Sequence, residues 1–245
     1  MATLAAQRPR LEAERRFYLG MAIAILATIL AGFGPSFYFR GLVPPYHPYL
    51  PMTPLVLLHG LVFSSWALLF MAQVSLMSAG KAAVHMKLGI GGFVLLPVMI
   101  VIGTLAALHG VERHSGNPSI PPLSWLAVPL LDIPVFTGLI LAGLLNRDKP
   151  QVHKRFMLGS LVGLLPPSIG RLPWPAEIPF PVIIIGGQLA FLVPLAIWDI
   201  RSRGRIHWVT ITVAAVLAGS WLFRLAIWNT PEWLAFARWA VSFVA

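Results

Sequence analysis

The sequence predicts an all-α integral membrane protein: a bundle of seven transmembrane helices, N-terminus inside and C-terminus outside, with a short C-terminal interfacial helix. Three observations carry that prediction. The 245 residues are 58% hydrophobic and only 11% charged, with a mean hydropathy of +0.80. A soluble domain carries about 25% charged residues and could not hide this much apolar surface. The apolar residues come in runs close to the roughly 20 that a helix needs to cross a hydrocarbon layer about 30 Å thick. The basic residues gather between alternate runs, as they do in cytoplasmic loops.

Residues 1–16 form a basic cytoplasmic segment with Arg8, Arg10, Arg15 and Arg16. Arg15-Arg16-Phe17 is faintly like a twin-arginine export signal, but the run that follows is too long for a signal h-region and lacks a small-residue cleavage pattern. Residues 17–39 therefore read as an uncleaved first span, with Gly20, Ala24, Ala27 and Ala31 as a small-residue stripe for close helix packing. The other spans read as 55–79, 89–109, 122–145, 155–172, 180–200 and 208–228, so that 17–228 is one transmembrane domain. The fifth is short and broken by Pro166-Pro167. With it included, thirteen basic residues fall on the inner side and four (Arg40, Arg113, Arg171 and Arg238) on the outer. Without it, Arg201, Arg203 and Arg205 would change sides, so the charge pattern asks for seven.

The outer loops 41–51 and 112–122 are rich in Pro, Tyr and His and read as rigid, irregular lids. The tail 229–245 is too short and too amphipathic to span. Thr230-Pro231-Glu232 starts a helix well, with Thr as cap and Pro at the first position. Trp233, Phe236 and Trp239 then suit the membrane–water interface.

The formal charge of +10 does not form one stripe, which argues against a nucleic-acid partner. There is no cysteine, which excludes disulfides, thiolate metal sites and cysteine nucleophiles. Walker, dinucleotide-fingerprint, HExxH and His-box motifs are absent, and Ser64, Ser65 and Ser160 have no base in view. Whether the chain is an enzyme stays open at this point.

Polar groups inside the spans point to a site, because they are costly there. His59, Asp132 and Arg224 stand out, at depths of roughly 7, 15 and 6 Å from the outer ends of their spans at 1.5 Å per residue. Gln188 and Thr104 join them, with Arg171 at the rim. Pro97, Pro129, Pro134, Pro166, Pro167 and Pro194 each strip a carbonyl of its helical partner, and in lipid such carbonyls need another one. The expectation is a polar cavity that opens outward. Two readings stand side by side: Asp132 and Arg224 pair to hold helices together, or they line a ligand or proton pathway.

The histidines offer a second site. His85 and His153 enter neighbouring inner ends at similar depth, and His59 and His109 do so outside. Paired imidazoles hold haem b or take copper or zinc; interfacial histidines beside Lys87, Lys154 and Arg155 also simply meet water and lipid headgroups. Val84-His85 and Val152-His153 continue into similar text ending at Leu96-Pro97 and Leu165-Pro166, and Ile206-His207 begins a third such segment. Diverged copies of one hairpin and chance are both open explanations.

LHGLVFSSWALLFMAQ (58–73), VHMKLG (84–89), VHKRFMLG (152–159), WDIRSRGRIH (198–207) and PEWLAFARW (231–239) together resemble an uncharacterised family of bacterial polytopic inner-membrane proteins. That resemblance covers nearly the whole chain and implies fold and compartment but no activity. HKRFM (153–157) is also locally similar to cytochrome oxidase assembly factors, which have fewer helices. This implies respiratory haem or copper handling with His59, His85 and His153 as the matched residues. The expected function is thus an accessory or assembly component of a membrane electron-transfer complex, its partners lipids and other subunits. The alternative is a small-molecule or proton transporter whose outward-facing cavity surrounds Asp132.

Overall fold

A computed structural model describes residues 2–46, 48 and 50–244, with side chains from residue 11 onward. The side chains of Arg8 and Arg10, and His47 and Tyr49 of the 41–51 loop, lie outside the described residues. Among the described residues the chain is all-helical, without a strand. The helices are α1 (Ala2–Phe33, continued by a π-helical turn Gly34–Tyr38), α2 (Pro54–Ser78), α3 (Ala82–Glu112), α4 (Pro122–Trp125), α5 (Ala127–Leu145), α6 (Pro150–Gly163), α7 (Pro166–Ile169), α8 (Phe180–Arg203), α9 (Trp208–Ile227) and α10 (Pro231–Val241).

Six stretches are helical, long and apolar enough to cross a membrane: Leu11–Tyr38, Pro54–Ser78, Ala82–Glu112, Pro122–Leu145, Phe180–Arg203 and Trp208–Ile227. Their ends follow local chemistry. Thr53 caps α2 by accepting from Val56 N at 3.3 Å, with Pro54 at the first position. Gly204 ends α8 at φ +77°, a left-handed value that a residue without Cβ adopts at little cost. Thr230 caps α10 through Trp233 N at 3.2 Å, as its sequence predicts.

The proline-broken fifth stretch folds as α6 and α7, and it lies inside the bundle. Nine of the fourteen α6 residues are buried, whereas the long helices turn most of theirs outward. Leu158, Val162 and Leu165 are fully enclosed. The pair runs alongside α1: Gln151 and Lys154 contact Glu14, and Ser168 lies against Gly32. Glu14 and Gly32 are 18 residues apart, about 27 Å along a helix. Thus α6 and α7 together traverse the bundle from one end to the other.

The two ends differ. At the basic end, Arg15 reaches the α2–α3 turn at Gly80, and Phe17 stacks on Trp198 with ring centroids 4.9 Å apart. At the opposite end the loops bind one another. Arg40 donates to Leu50 O at 2.9 Å and Arg113 to Pro51 O at 2.8 Å. There α10 docks through Trp233, Ala237 and Ala240 onto Ala107, Leu108 and Leu126.

One packing expectation is corrected. The Gly20-Ala24-Ala27-Ala31 stripe faces outward, and α1 packs with Tyr18, Ala22, Ile25, Ile29 and Gly32. A Cβ on Gly32 would come within 2.3 Å of Ser168 O, so this glycine is what admits α7.

Candidate functional site

The most completely satisfied polar cluster sits near the basic end and was not visible as a site in the sequence. Arg155 of α6 and Asp199 of α8 form an ion pair with both side chains fully enclosed. Arg155 Nε donates to Asp199 Oδ1 at 3.1 Å, and Nη2 donates to the same oxygen. Asp199 Oδ2 accepts from Thr210 Oγ1 at 2.6 Å and from His207 N at 3.0 Å. Arg155 Nη1 donates to Gln151 O and Oε1 at 2.7 and 2.8 Å, and Gln151 Nε2 donates to Glu14 at 3.1 Å. One network therefore links α1, α6, α8 and α9. Read from sequence, Arg155 is a topology signal. A sign of more was available: Asp199 is the one acidic residue between Glu177 and Glu232, and a lone carboxylate in an apolar helix needs a cation.

His207 closes this cluster. It caps α9, its Nδ1 accepting from Val209 N at 3.1 Å. Burial first, then the charges of Arg155 and Arg203, hold the imidazole below its ordinary pKa, with Asp199 opposing and Lys154 adding to the effect.

The sequence-picked polar residues fall as follows. Asp132 and Arg224 do pair, at 2.8 Å between α5 and α9, with Arg224 1% and Asp132 16% exposed. Arg224 also lies 4.9 Å over the Trp221 ring, and its Nε has no hydrogen-bond partner. Gln188 spans from α8 to the break between α6 and α7, with Nε2 3.2 Å from Val162 O and 3.4 Å from Gly163 O. Thr104 donates to its own helix at Ile100 O, 2.7 Å. His59 stacks on Phe63 at 4.2 Å, and its Nδ1 is buried without a partner. Arg171 donates to Pro167 O at 2.7 Å and lies 4.5 Å over the Phe33 ring. A cavity of about 270 Å³ is formed by the segment 110–125, with His114, Asn117, Ser119 and Trp125 among its walls, and none of Asp132, Arg224, Gln188, Thr104, His59 and Arg171 lines it.

The serines are used structurally. Ser65 donates to Leu61 O and Ser160 to Met157 O, both at 2.8 Å, while Ser64 shares a 2.7 Å hydrogen bond with Tyr38.

The histidines separate into a pair that meets and two that do not. His85, four residues into α3, and His153, four residues into α6, bring their ring centroids to 6.4 Å at an interplanar angle of 88°. His153 Nδ1 donates to Gly143 O at 2.8 Å. His85 Nδ1 is buried without a partner, and its ring meets the backbone carbonyl of Gln73. No ring contact joins His59 to His109 among the described residues. Nor do the described residues hold a cluster of three or more His, Cys, Asp or Glu with metal-binding geometry.

No family model matches this chain, and no curated protein or solved structure does.

Proposed function

We propose that this chain is a multi-pass protein of the bacterial inner membrane that crosses seven times, N-terminus inside and C-terminus outside. We further propose that it serves as an accessory or assembly component of a membrane electron-transfer complex and handles a metal, as ion or as haem iron, at its basic end. The observation that carries the metal reading is the meeting of His85 and His153, which are 68 residues apart in the chain. Asp199, Arg155, Ser64, Ser65 and Ser160 are committed to neighbouring protein groups, whereas His85 keeps a buried nitrogen without a partner where it meets His153.

The seventh crossing is supported by the path of α6 and α7 beside α1. A short, broken helix is tolerable at membrane depth where protein surrounds it, and this one is surrounded. The orientation is supported by the thirteen-to-four charge bias. The outward-facing Gly20, Ala24, Ala27 and Ala31 suit an accessory role, since small residues let a partner's helix approach closely.

Purification from the native membrane in mild detergent tests the role. Co-purifying complex subunits and metal retained through His85 and His153 are expected; a chain that comes out alone and without metal overturns the reading. Reporter fusions to the C-terminus test the crossing number, and an inside C-terminus would sink it.

A second reading, a proton or solute pathway around Asp132, is favoured by the unpartnered Arg224 Nε and the partly open Asp132 side chain.

A further inference from the structure

We propose that His85 and His153, with Gln73 beside them, form a site for a single Cu(I) ion. This deepens, and rests on, the metal-handling reading above: it names an ion where that reading allows an ion or a haem.

The ring anchoring comes first. A carbonyl oxygen can only accept, so His153 Nδ1 carries the proton that Gly143 O receives. In the neutral ring Nε2 then holds a free lone pair. Metal-binding histidines are commonly fixed in this way, one nitrogen donating to a backbone carbonyl and the other facing the metal. His85 follows the same logic from the other side. Its ring meets the Gln73 carbonyl while Nδ1 is buried without a partner, which leaves Nε2 to donate and Nδ1 to ligate. Gln73 Oε1 is a second buried acceptor without a donor. Its amide group lies against Gly89, one turn beyond His85, where a Cβ would sit 3.3 Å from Nε2. Met157, one turn beyond His153, packs its thioether on Gly143. Unsatisfied buried polar atoms call for an explanation, and an ion supplies one for His85 Nδ1.

The identity follows from separation and charge. With about 2.0 Å from metal to nitrogen and about 1.1 Å from nitrogen to ring centre, two imidazoles on opposite sides of one ion have centroids about 6.2 Å apart. A tetrahedral angle would bring them to about 5 Å by the same geometry. The observed 6.4 Å is close to the centroid separation that a near-linear arrangement would have, and that coordination suits Cu(I) rather than tetrahedral Zn(II). The donors are neutral, so a monovalent ion costs less to bury here than a divalent one. Imidazole with a thioether nearby is also a soft donor set of the kind copper accepts. Haem fits less well, because Nδ1 adjoins the ring carbon that bears Cβ, and a porphyrin plane bound there would strike the His85 backbone.

The test uses the full chain in mild detergent, titrated anaerobically with Cu(I) against a colorimetric Cu(I) chelator. One Cu(I) per chain is expected, with X-ray absorption showing two nitrogen ligands. His153→Gln and His85→Gln should each weaken binding at least tenfold, since even outer partners of a metal site are worth 10–100-fold. His59→Gln and His109→Gln should leave it unchanged. Thermal melting of each variant checks that the fold persists, and Gln at 153 keeps a donor for Gly143 O. Binding insensitive to both substitutions, or Zn(II) held more tightly than Cu(I), overturns the proposal. A haem absorbance that depends on both histidines also overturns it while leaving the metal-handling reading intact. Cu(I) binding in a chain that co-purifies with nothing supports the site and removes the accessory role.

Discussion

The side-chain amide of Gln188 in α8 lies 3.2 Å from the carbonyl oxygen of Val162, at the point where α6 stops. Pro166 and Pro167 have no N–H, so the carbonyls of Val162 and Gly163 lose their helical donors. Gln188 donates to both, and Leu165 N adds a 3.1 Å bond to Val162. Replacing Gln188 with Leu should therefore cost about 1–3 kcal/mol, the penalty for stranding buried polar groups. Adding Pro166→Ala and Pro167→Ala returns the N–H donors and should recover part of that loss. Thermal unfolding of the single and combined variants decides; equal damage with and without the prolines would show that Gln188 acts otherwise.

Arg155 and Asp199 are expected to behave as a buried pair. Arg155→Met leaves the Asp199 carboxylate enclosed and unpaired, and losses of about 3–5 kcal/mol are usual for such a break. The double variant Arg155→Met, Asp199→Leu should be more stable than either single one. If the double change is as harmful as the sum of the two, the residues do not act as a pair.

For Asp132 and Arg224 the double variant separates the two readings left open by the sequence. A pair that only joins α5 to α9 predicts that Asp132→Asn with Arg224→Gln melts higher than either single change. A proton pathway predicts that vesicle proton flux disappears with Asp132→Asn alone, whatever the melting point. Melting and flux measured on the same preparations tell them apart.

Gly32 and Gly20 should respond oppositely to alanine. At Gly32 the new Cβ would meet the Ser168 backbone at 2.3 Å, so α1 must move off α7 at a cost of about 1–3 kcal/mol. At Gly20 nothing lies within 4 Å, and alanine gains up to about 1 kcal/mol of helix propensity. Melting points that move the same way would contradict the packing of α1.

Mild acid should loosen the α8–α9 turn. His207 is held below its ordinary pKa of 6.5, chiefly by burial, and Nδ1 must stay unprotonated to accept from Val209 N. A group depressed in the folded state contributes stability that is complete above its unfolded pKa and is lost as pH falls through the folded value. The melting temperature should thus fall as pH drops below about 6.5. His207→Asn keeps a capping acceptor but does not titrate near neutrality, and should flatten the dependence. An unchanged slope in that variant would rule His207 out as its source.

How much the sequence disclosed depended on whether the signal was local. The Thr230 cap needs three consecutive residues and was legible. So was the need for a donor near Pro166-Pro167, because missing N–H groups can be counted without coordinates. The pairing of Asp132 with Arg224 is one of the two readings the sequence offers, because charges at membrane depth have few alternatives. Arg155 went unread because its loop neighbours Arg147, Lys149 and Lys154 made it look like one more charge of a basic segment. The packing face of α1 is illegible for a related reason: small residues permit close packing, but they do not say which side the partner approaches.

Apolar length and charge placement are properties of each segment alone, so the sequence by itself determined the helices, their approximate ends and the basic ends of the loops. The tertiary structure alone decided which polar groups became one another's partners. It drew α6 and α7 into the interior, set Asp199 against Arg155, and brought His85 to His153 across 68 residues. Those outcomes depend on how helices rotate and pack against each other. No local pattern encodes that rotation, because it is fixed jointly by the surfaces of several helices at once.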